Sequence, residues 1–283
     1  MITGIPIYNG VDLLDVAAPY EIFNWMKEKA PDLRVEVYLL AEKLNDVKTL
    51  NGLTMKPHKK FRDFSTLDVL WVPGADPAAL KALMNDPRRT YLNFLRTVSY
   101  RARFVTSVCE GALLLAKAGL LDGYEATTHW AFIPCLKKYP KVKIVEGCPR
   151  FVVDRNRVTG GGISSGLDEA FKLVELLSSY QVAQEVQRVT QYYPCPPVAS
   201  TLPKADTCPL DEHQAAELRD PAPRLDVTGM LLPERAADEK YPILCSRSVW
   251  CLAWVVGRGS STQALPATAT PWHRRGDGRG VPV

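Results

Sequence analysis

The sequence lacks long apolar runs and concentrated positive charge. The most apolar tract of its C-terminal part spans only residues 249–256, far too short to cross a bilayer. The N-terminus has no basic region followed by an apolar core, so it does not look like a secretory signal. The formal net charge is only +4 for 283 residues, without a Lys/Arg-rich block in the first 200. We therefore predict a cytoplasmic protein whose partners include neither a membrane nor a nucleic acid.

Spaced ligand and cofactor motifs are also missing. The seven cysteines show no CxxC or Cys/His spacing, which predicts free thiols without a disulfide framework or a zinc site. The run Gly160-Gly161-Gly162 does not satisfy the GxGxxG pattern of dinucleotide-binding loops. We expect no metal and no cofactor, and we interpret these glycines as positions of close packing near a site.

Strand and helix patterns alternate along the first two thirds of the chain. Strands are predicted over 2–8, 34–40, 68–72 and 103–108, with helices between them and beyond them to about residue 192. This interleaving predicts an α/β domain whose mostly parallel sheet is covered on both faces.

Three motifs fall at the predicted ends of strands, namely Pro73-Gly74, Cys109 and the glycine run 160–162. Ligands of open parallel sheets bind beyond the carboxyl ends of the strands. The sequence therefore predicts a functional site where these three motifs meet.

The character of the chain changes after residue 193. Residues 194–223 contain seven prolines and little periodicity, which predicts a surface-wrapping or disordered segment. We divide the chain into an α/β domain over 1–195 and a proline-rich, irregular or partly disordered extension over 196–283.

Cys109 stands at an abrupt change of pattern in the stretch TSVCEGALLLA. A β-branched run ends at Val108, and helix-forming residues begin within two positions. A residue at such a corner is often held in a strained backbone geometry, with its side chain exposed. A helix start would favour the thiolate, which is the nucleophilic form. The alternative is that Cys109 is a small buried apolar residue.

Three segments resemble the DJ-1/PfpI superfamily, and within it the isonitrile hydratase branch most. They are SVCEGALLLAKAGLLDGYEATTHW (107–130), VTGGGISSGLDEAFKLVELL (158–177) and LLDVAAPYEIF (13–23). The resemblance covers roughly residues 1–200. It implies a flavodoxin-like three-layer α/β sandwich, a cysteine nucleophile elbow and a homodimer.

The resemblance also assigns roles to individual residues. Cys109 matches the nucleophile, and Asp15 matches the acid that approaches it from the first helix. Gly74 matches the loop whose amides line the oxyanion position, with Ala75 where the family commonly has a second glycine. His129 follows Cys109 by twenty residues, as in much of the superfamily, and is either a polarising group or a packing residue.

Glu110 departs from the resemblance, because isonitrile hydratases usually have threonine directly after the cysteine. It is interpreted either as a proton donor and acceptor or as a charge at the first helical position, where the dipole stabilises it by roughly 0.3–1 kcal/mol. For Asp15, too, the alternative to a catalytic role is a charge near the start of a helix that interacts with the helix dipole.

The leading hypothesis for function is hydration of a small-molecule isonitrile through a cysteine thioimidate. A glyoxalase-like or deglycase-like reaction with an aldehyde is the alternative enzyme, although aspartate at position 15 favours the isonitrile branch. A cysteine redox sensor is a non-catalytic alternative. A transcription regulator is disfavoured, because no helix-turn-helix pattern follows the domain.

Overall fold

A computed structural model describes residues 1–198 and 200–211 of the chain. Within these ranges, the strands are β1 Ile2–Pro6, β2 Glu36–Ala41, β3 Val47–Lys48, β4 Thr54–Met55, β5 Lys59–Lys60, β6 Val69–Val72, β7 Phe104–Ser107, β8 Glu125–Ala126, β9 Lys143–Ile144, β10 Phe151–Asp154 and β11 Arg157–Gly160. The α-helices are α1 Leu13–Lys29, α2 Pro77–Asn85, α3 Thr90–Ser99, α4 Gly111–Lys117, α5 Ile133–Leu136, α6 Ser165–Leu177 and α7 Tyr180–Val189.

Seven strands form the central sheet, in the order β10-β11-β7-β6-β1-β2-β5. All neighbouring pairs are parallel except the hairpin β10–β11. Helices α1, α6 and α7 pack together, and helices α2 to α5 form a second contiguous layer. The predicted flavodoxin-like α/β fold with a mostly parallel sheet is therefore confirmed.

Strand β6 lies at the centre of the sheet and is buried along its whole length, as expected where helices cover both faces. Trp71 on this strand packs edge-to-face against Phe23 of α1, with ring centroids 6.0 Å apart. The end of β6 also fixes the start of α4, because a Cβ atom at Gly111 would lie 2.1 Å from the Val72 carbonyl oxygen. Only glycine allows this approach, which brings the turn after β7 against β6.

The prediction that all cysteines are free thiols is wrong for two of them. Cys135 in α5 and Cys208 form a disulfide, with Cα atoms 4.7 Å apart. They are separated by 73 positions in the chain, so no local spacing could reveal the pair. Cys109 and Cys148 are free thiols, whereas Cys245 and Cys251 lie outside the described residues.

The described part of the C-terminal extension contains no helix or strand, yet it is attached to the domain. Cys208 and Leu210 pack against the core, and Lys138 pairs with Asp211. The predicted boundary at 195 and the extension beyond residue 211 stay predictions. Among the helices of the described residues, none has the length and hydropathy needed to cross a membrane.

Candidate active site

Cys109 occupies a strained and tightly held turn. Its φ angle is +52°, in the left-handed region that costs a non-glycine residue energy. Its amide donates to the Gly161 carbonyl at 2.9 Å, and its own carbonyl accepts from the Thr128 hydroxyl at 2.8 Å. The predicted strained corner between β7 and α4 is therefore present, but the expected exposure of the side chain is wrong, because Cys109 is fully buried.

Asp15, in the first turn of α1, is placed beside this thiol. Its Oδ2 oxygen accepts from the Gly74 amide at 2.8 Å. Burial, and secondarily the Asp12 carboxylate, raise the pKa of Asp15 to about 8, against the opposing hydrogen bonds with Gly74 and Cys109. At neutral pH, Asp15 is therefore mainly protonated.

Glu110 turns towards the thiol instead of towards solvent. It is the N-cap residue of α4, not the first helical residue as predicted, and only 6% of it is exposed. Burial and then the charge of Asp15 raise its pKa well above the usual range, although hydrogen bonds with its own amide and that of Ala75 oppose the rise. The alternative that Glu110 is a charge at the first helical position differs from the structure in that position, and its carboxyl is buried.

The loop predicted to line an oxyanion position does lie next to the thiol, but the Gly74 amide already has an acceptor. It donates to the Asp15 carboxyl at 2.8 Å. A Cβ atom at Gly74 would lie 2.6 Å from the Cys109 Cβ. The loop thus holds the Asp15 carboxyl in place beside the thiol.

The electrostatic environment favours the protonated thiol. Burial, followed by the charges of Asp15, Glu110 and Asp12, raises the pKa of Cys109 well above its usual value. Within residues 1–198 and 200–211, no lysine or arginine forms an ion pair with these acids. The expectation that the start of α4 would produce a thiolate is therefore wrong for the resting site.

His129 has structural contacts of its own. Its Nδ1 accepts from the Ala131 amide at 3.2 Å and caps a short 3₁₀ turn. Its ring lies against Gly162, where a Cβ atom would be 3.1 Å from Cδ2. Burial lowers the pKa of His129, so the ring is neutral at pH 7. These contacts match the interpretation of His129 as a packing residue. Its neighbour Thr128, not His129, makes the hydrogen bond to the turn at Cys109.

Two acids of the site escaped the sequence analysis. Asp12 is half-buried and follows the end of β1, so the rule of strand ends could have found it. Glu169 is fully buried in α6. It falls on the helical face shared by Gly166 and Leu173, which is the signal that could have identified it. Its pKa is raised well above the usual range by burial and then by Asp15.

The glycine run of the third motif is explained by close packing. A Cβ atom at Gly160 would lie 2.2 Å from the Glu169 Oε2 oxygen. One at Gly161 would lie 3.0 Å from the Pro149 carbonyl oxygen. The predicted close packing is therefore confirmed, and Gly160 makes room for a buried acid.

A cavity of about 680 Å³ opens near the end of β1, and Cys109 is not among its lining residues. Tyr8 and Tyr91 line it, with ring centroids 5.1 Å apart. The Tyr8 hydroxyl donates to the Pro73 carbonyl at 2.9 Å, so Tyr8 joins the wall of the cavity to the loop over the thiol.

Comparison with known proteins agrees with this architecture. The sequence model of the DJ-1/PfpI family matches residues 4–176. Isonitrile hydratase from Pseudomonas putida is 39% identical over 206 residues, which cover 73% of this chain and 84% of that protein.

Solved structures give the same assignment. A THiJ/PfpI family protein from Pseudomonas syringae is 32% identical, with a TM-score of 0.63 over 70% of this chain and 77% of that one. Schizosaccharomyces pombe DJ-1 shares the fold at 17% identity, with a TM-score of 0.55 over 69% of this chain and 100% of its own. The chain therefore belongs to the DJ-1/PfpI family.

Proposed function

We propose that this protein is an isonitrile hydratase, which adds water to an isonitrile and releases an N-substituted formamide. The observation that carries the proposal is a buried neutral thiol beside a protonated carboxyl, Asp15, with pKa about 8. The similarity to isonitrile hydratase over 84% of that protein supports the same reaction.

The chemistry of an isonitrile suits an acidic site. Its terminal carbon carries a lone pair, so it accepts a proton and then becomes electrophilic. Protonated Asp15 donates to this carbon, and the Cys109 sulfur attacks it. The S–C bond forms, one C–N bonding pair becomes a nitrogen lone pair, and the thiol proton returns to Asp15. The product is a thioimidate, R–N=CH–S–Cys109.

Water completes the reaction. Its oxygen bonds to the thioimidate carbon while the nitrogen takes up a proton, giving R–NH–CH(OH)–S–Cys109. The C–S bond then breaks, sulfur regains a proton, and the hydroxyl proton leaves as the formamide carbonyl forms. Glu110 has a carboxylate oxygen within 4.8 Å of the Cys109 sulfur and a pKa raised by burial, and it exchanges protons in this half of the reaction.

The alternatives have weaker support. Addition of a thiolate to an aldehyde develops an alkoxide that needs free amide donors, but the Gly74 amide already donates to the Asp15 carboxyl. A redox sensor needs an accessible thiolate, whereas Cys109 is fully buried and its pKa is raised.

The test is incubation with an aryl isonitrile in D₂O, followed by mass analysis of the formamide. We expect turnover with one deuterium on the formyl carbon, because the donated proton exchanges with solvent. Cys109→Ala should abolish turnover, and Cys148→Ala, which removes the other free thiol named above, should retain it. Formamide production by Cys109→Ala would overturn the mechanism.

A homodimer is the assembly we propose, and its interface includes the hairpin β3–β4. Leu50 and Leu53 of the hairpin loop are each about half exposed, and Leu14 of α1 is 38% exposed. The Leu50 amide donates to the Val11 carbonyl at 2.9 Å, which ties the hairpin to the segment before Asp12. Sedimentation should show a dimer that Leu50→Glu with Leu53→Glu dissociates. An unchanged dimer would exclude this face.

A further inference from the structure

We propose that Cys109, Asp12 and Glu110 form a binding site for a divalent zinc ion, which reversibly blocks the thiol. This inference is independent of the substrate and of the proposed reaction. It departs from the sequence-based expectation of no metal.

The geometry of the three side chains supports the site. One ligand atom from each residue, the thiol sulfur and two carboxylate oxygens, lies within 4.8 Å of the other two. Ligands of a tetrahedral zinc ion are about 3.5 Å apart, given bond lengths of about 2.0–2.3 Å. Zinc binding therefore requires the half-buried Asp12 side chain to move towards the other two ligands.

Unpartnered buried oxygens point to a cation at this place. Among the described residues, Glu110 Oε2 has no hydrogen-bond partner, although Glu110 is more than nine-tenths buried. Asp15 is not one of the three ligands, yet its Oδ1 oxygen is also buried without an N–H or O–H donor in the described ranges. Buried polar atoms are normally satisfied by a hydrogen bond or a ligand, and the described lysines and arginines form no ion pair here.

The donor set selects the kind of ion. A thiolate is a soft ligand and disfavours magnesium or calcium, whereas zinc accepts sulfur and carboxylate oxygen together. Three protein ligands leave one position of a tetrahedral ion open. Binding displaces the protons of the ligands, forms a Zn–S bond and changes no oxidation state.

The sequence could not reveal such a site. Cys109 and Glu110 are adjacent, but Asp12 lies nearly a hundred positions earlier. The ligands meet only because β1 and β7 both end at the same edge of the sheet, on either side of β6. A search for short repeated ligand spacings cannot detect that arrangement.

The experiment uses the full chain without thiol reductants and titrates it with Co²⁺, a spectroscopic substitute for zinc. We expect a sulfur-to-cobalt charge-transfer band that Zn²⁺ removes by displacement. Cys109→Ser should abolish the band, and Cys148→Ser should retain it. Asp12→Asn and Glu110→Gln should each weaken binding by about tenfold or more, while Asp122→Asn, a surface control, should not.

The number of bound cobalt ions does not decide the result, because further Cys and His residues after residue 211 can also bind the metal. The comparison of the variants decides it. A band that persists in Cys109→Ser would overturn the proposal, as would unchanged affinity in Asp12→Asn. Circular dichroism of each metal-free variant checks that it is folded. These readouts are independent of isonitrile turnover.

Discussion

The Glu110 carboxyl occupies the space that a side chain at position 74 would need, because a Cβ atom at Gly74 would lie 2.3 Å from the Glu110 Oε2 oxygen. The same atom would lie 2.8 Å from the Glu110 backbone nitrogen, so rotation of the Glu110 side chain cannot relieve the clash. The missing side chain of Gly74 is thus what allows an acid to stand directly after the nucleophile.

Gly74→Ala is expected to disturb both stability and catalysis. Overpacking should lower the free energy of unfolding by about 1–3 kcal/mol. Displacement of Cys109 should lower kcat/KM by about 100-fold. Urea unfolding and initial rates measure the two effects. Ala75→Gly keeps the amide and adds no atom, so it should lose far less activity. Wild-type values for Gly74→Ala would contradict the packing described here.

Asp15→Asn should remove the proton donor. We expect kcat/KM to fall by about 10²–10⁴-fold, while Asp122→Asn, a surface control, remains active. In the wild type, kcat/KM should decline above pH 8, because Asp15, with a pKa of about 8, then loses the proton that it donates. The measurement is a pH profile of kcat/KM for both proteins. A wild-type profile flat from pH 7 to 9.5 would show that Asp15 is not the donor.

Glu169→Gln should stabilise the protein increasingly as pH rises. The pKa of Glu169 is raised in the folded state, so above the unfolded pKa of about 4.3 the folded chain holds a proton that the unfolded chain has lost. Each pH unit in this window costs the wild type up to about 1.4 kcal/mol, and glutamine escapes that cost. Urea unfolding at pH 5 and pH 8 measures the difference.

The matched control for that experiment is Glu175→Gln on the same helix. Glu175 pairs with Lys172 near the surface, so its substitution should produce a small effect with little pH dependence. Equal gains for Glu169→Gln at pH 5 and pH 8 would mean that Glu169 is ionised in the folded state.

Removal of the disulfide should destabilise the domain. In the chain-entropy account, a loop of 73 residues corresponds to about 4 kcal/mol. Cys208→Ser should therefore lower the midpoint of thermal unfolding, and reductant should lower that of the wild type to a similar value. Thiol titration under denaturing, non-reducing conditions should find one additional thiol in Cys208→Ser. No additional thiol would show that the bond does not form.

Ligand sites of parallel sheets form at the carboxyl ends of the strands, and the sequence shows where these strands end. From this rule alone, Cys109 and Gly74 were predicted to lie close together, because hydrophobic periodicity locates strand ends well. It could not find the hydrogen bond from the Gly74 amide to Asp15, since this depends on side-chain direction within a turn. It also missed Glu169, because a charged residue on an apolar helical face is normally assigned to solvent.

The disulfide anchors the last described residues to the helical layer formed by α2 to α5. Asp211, paired with Lys138 and three residues beyond Cys208, is the last described residue. A protein that ends at Asp211 should therefore keep the disulfide, the sheet and the carboxyls beside Cys109.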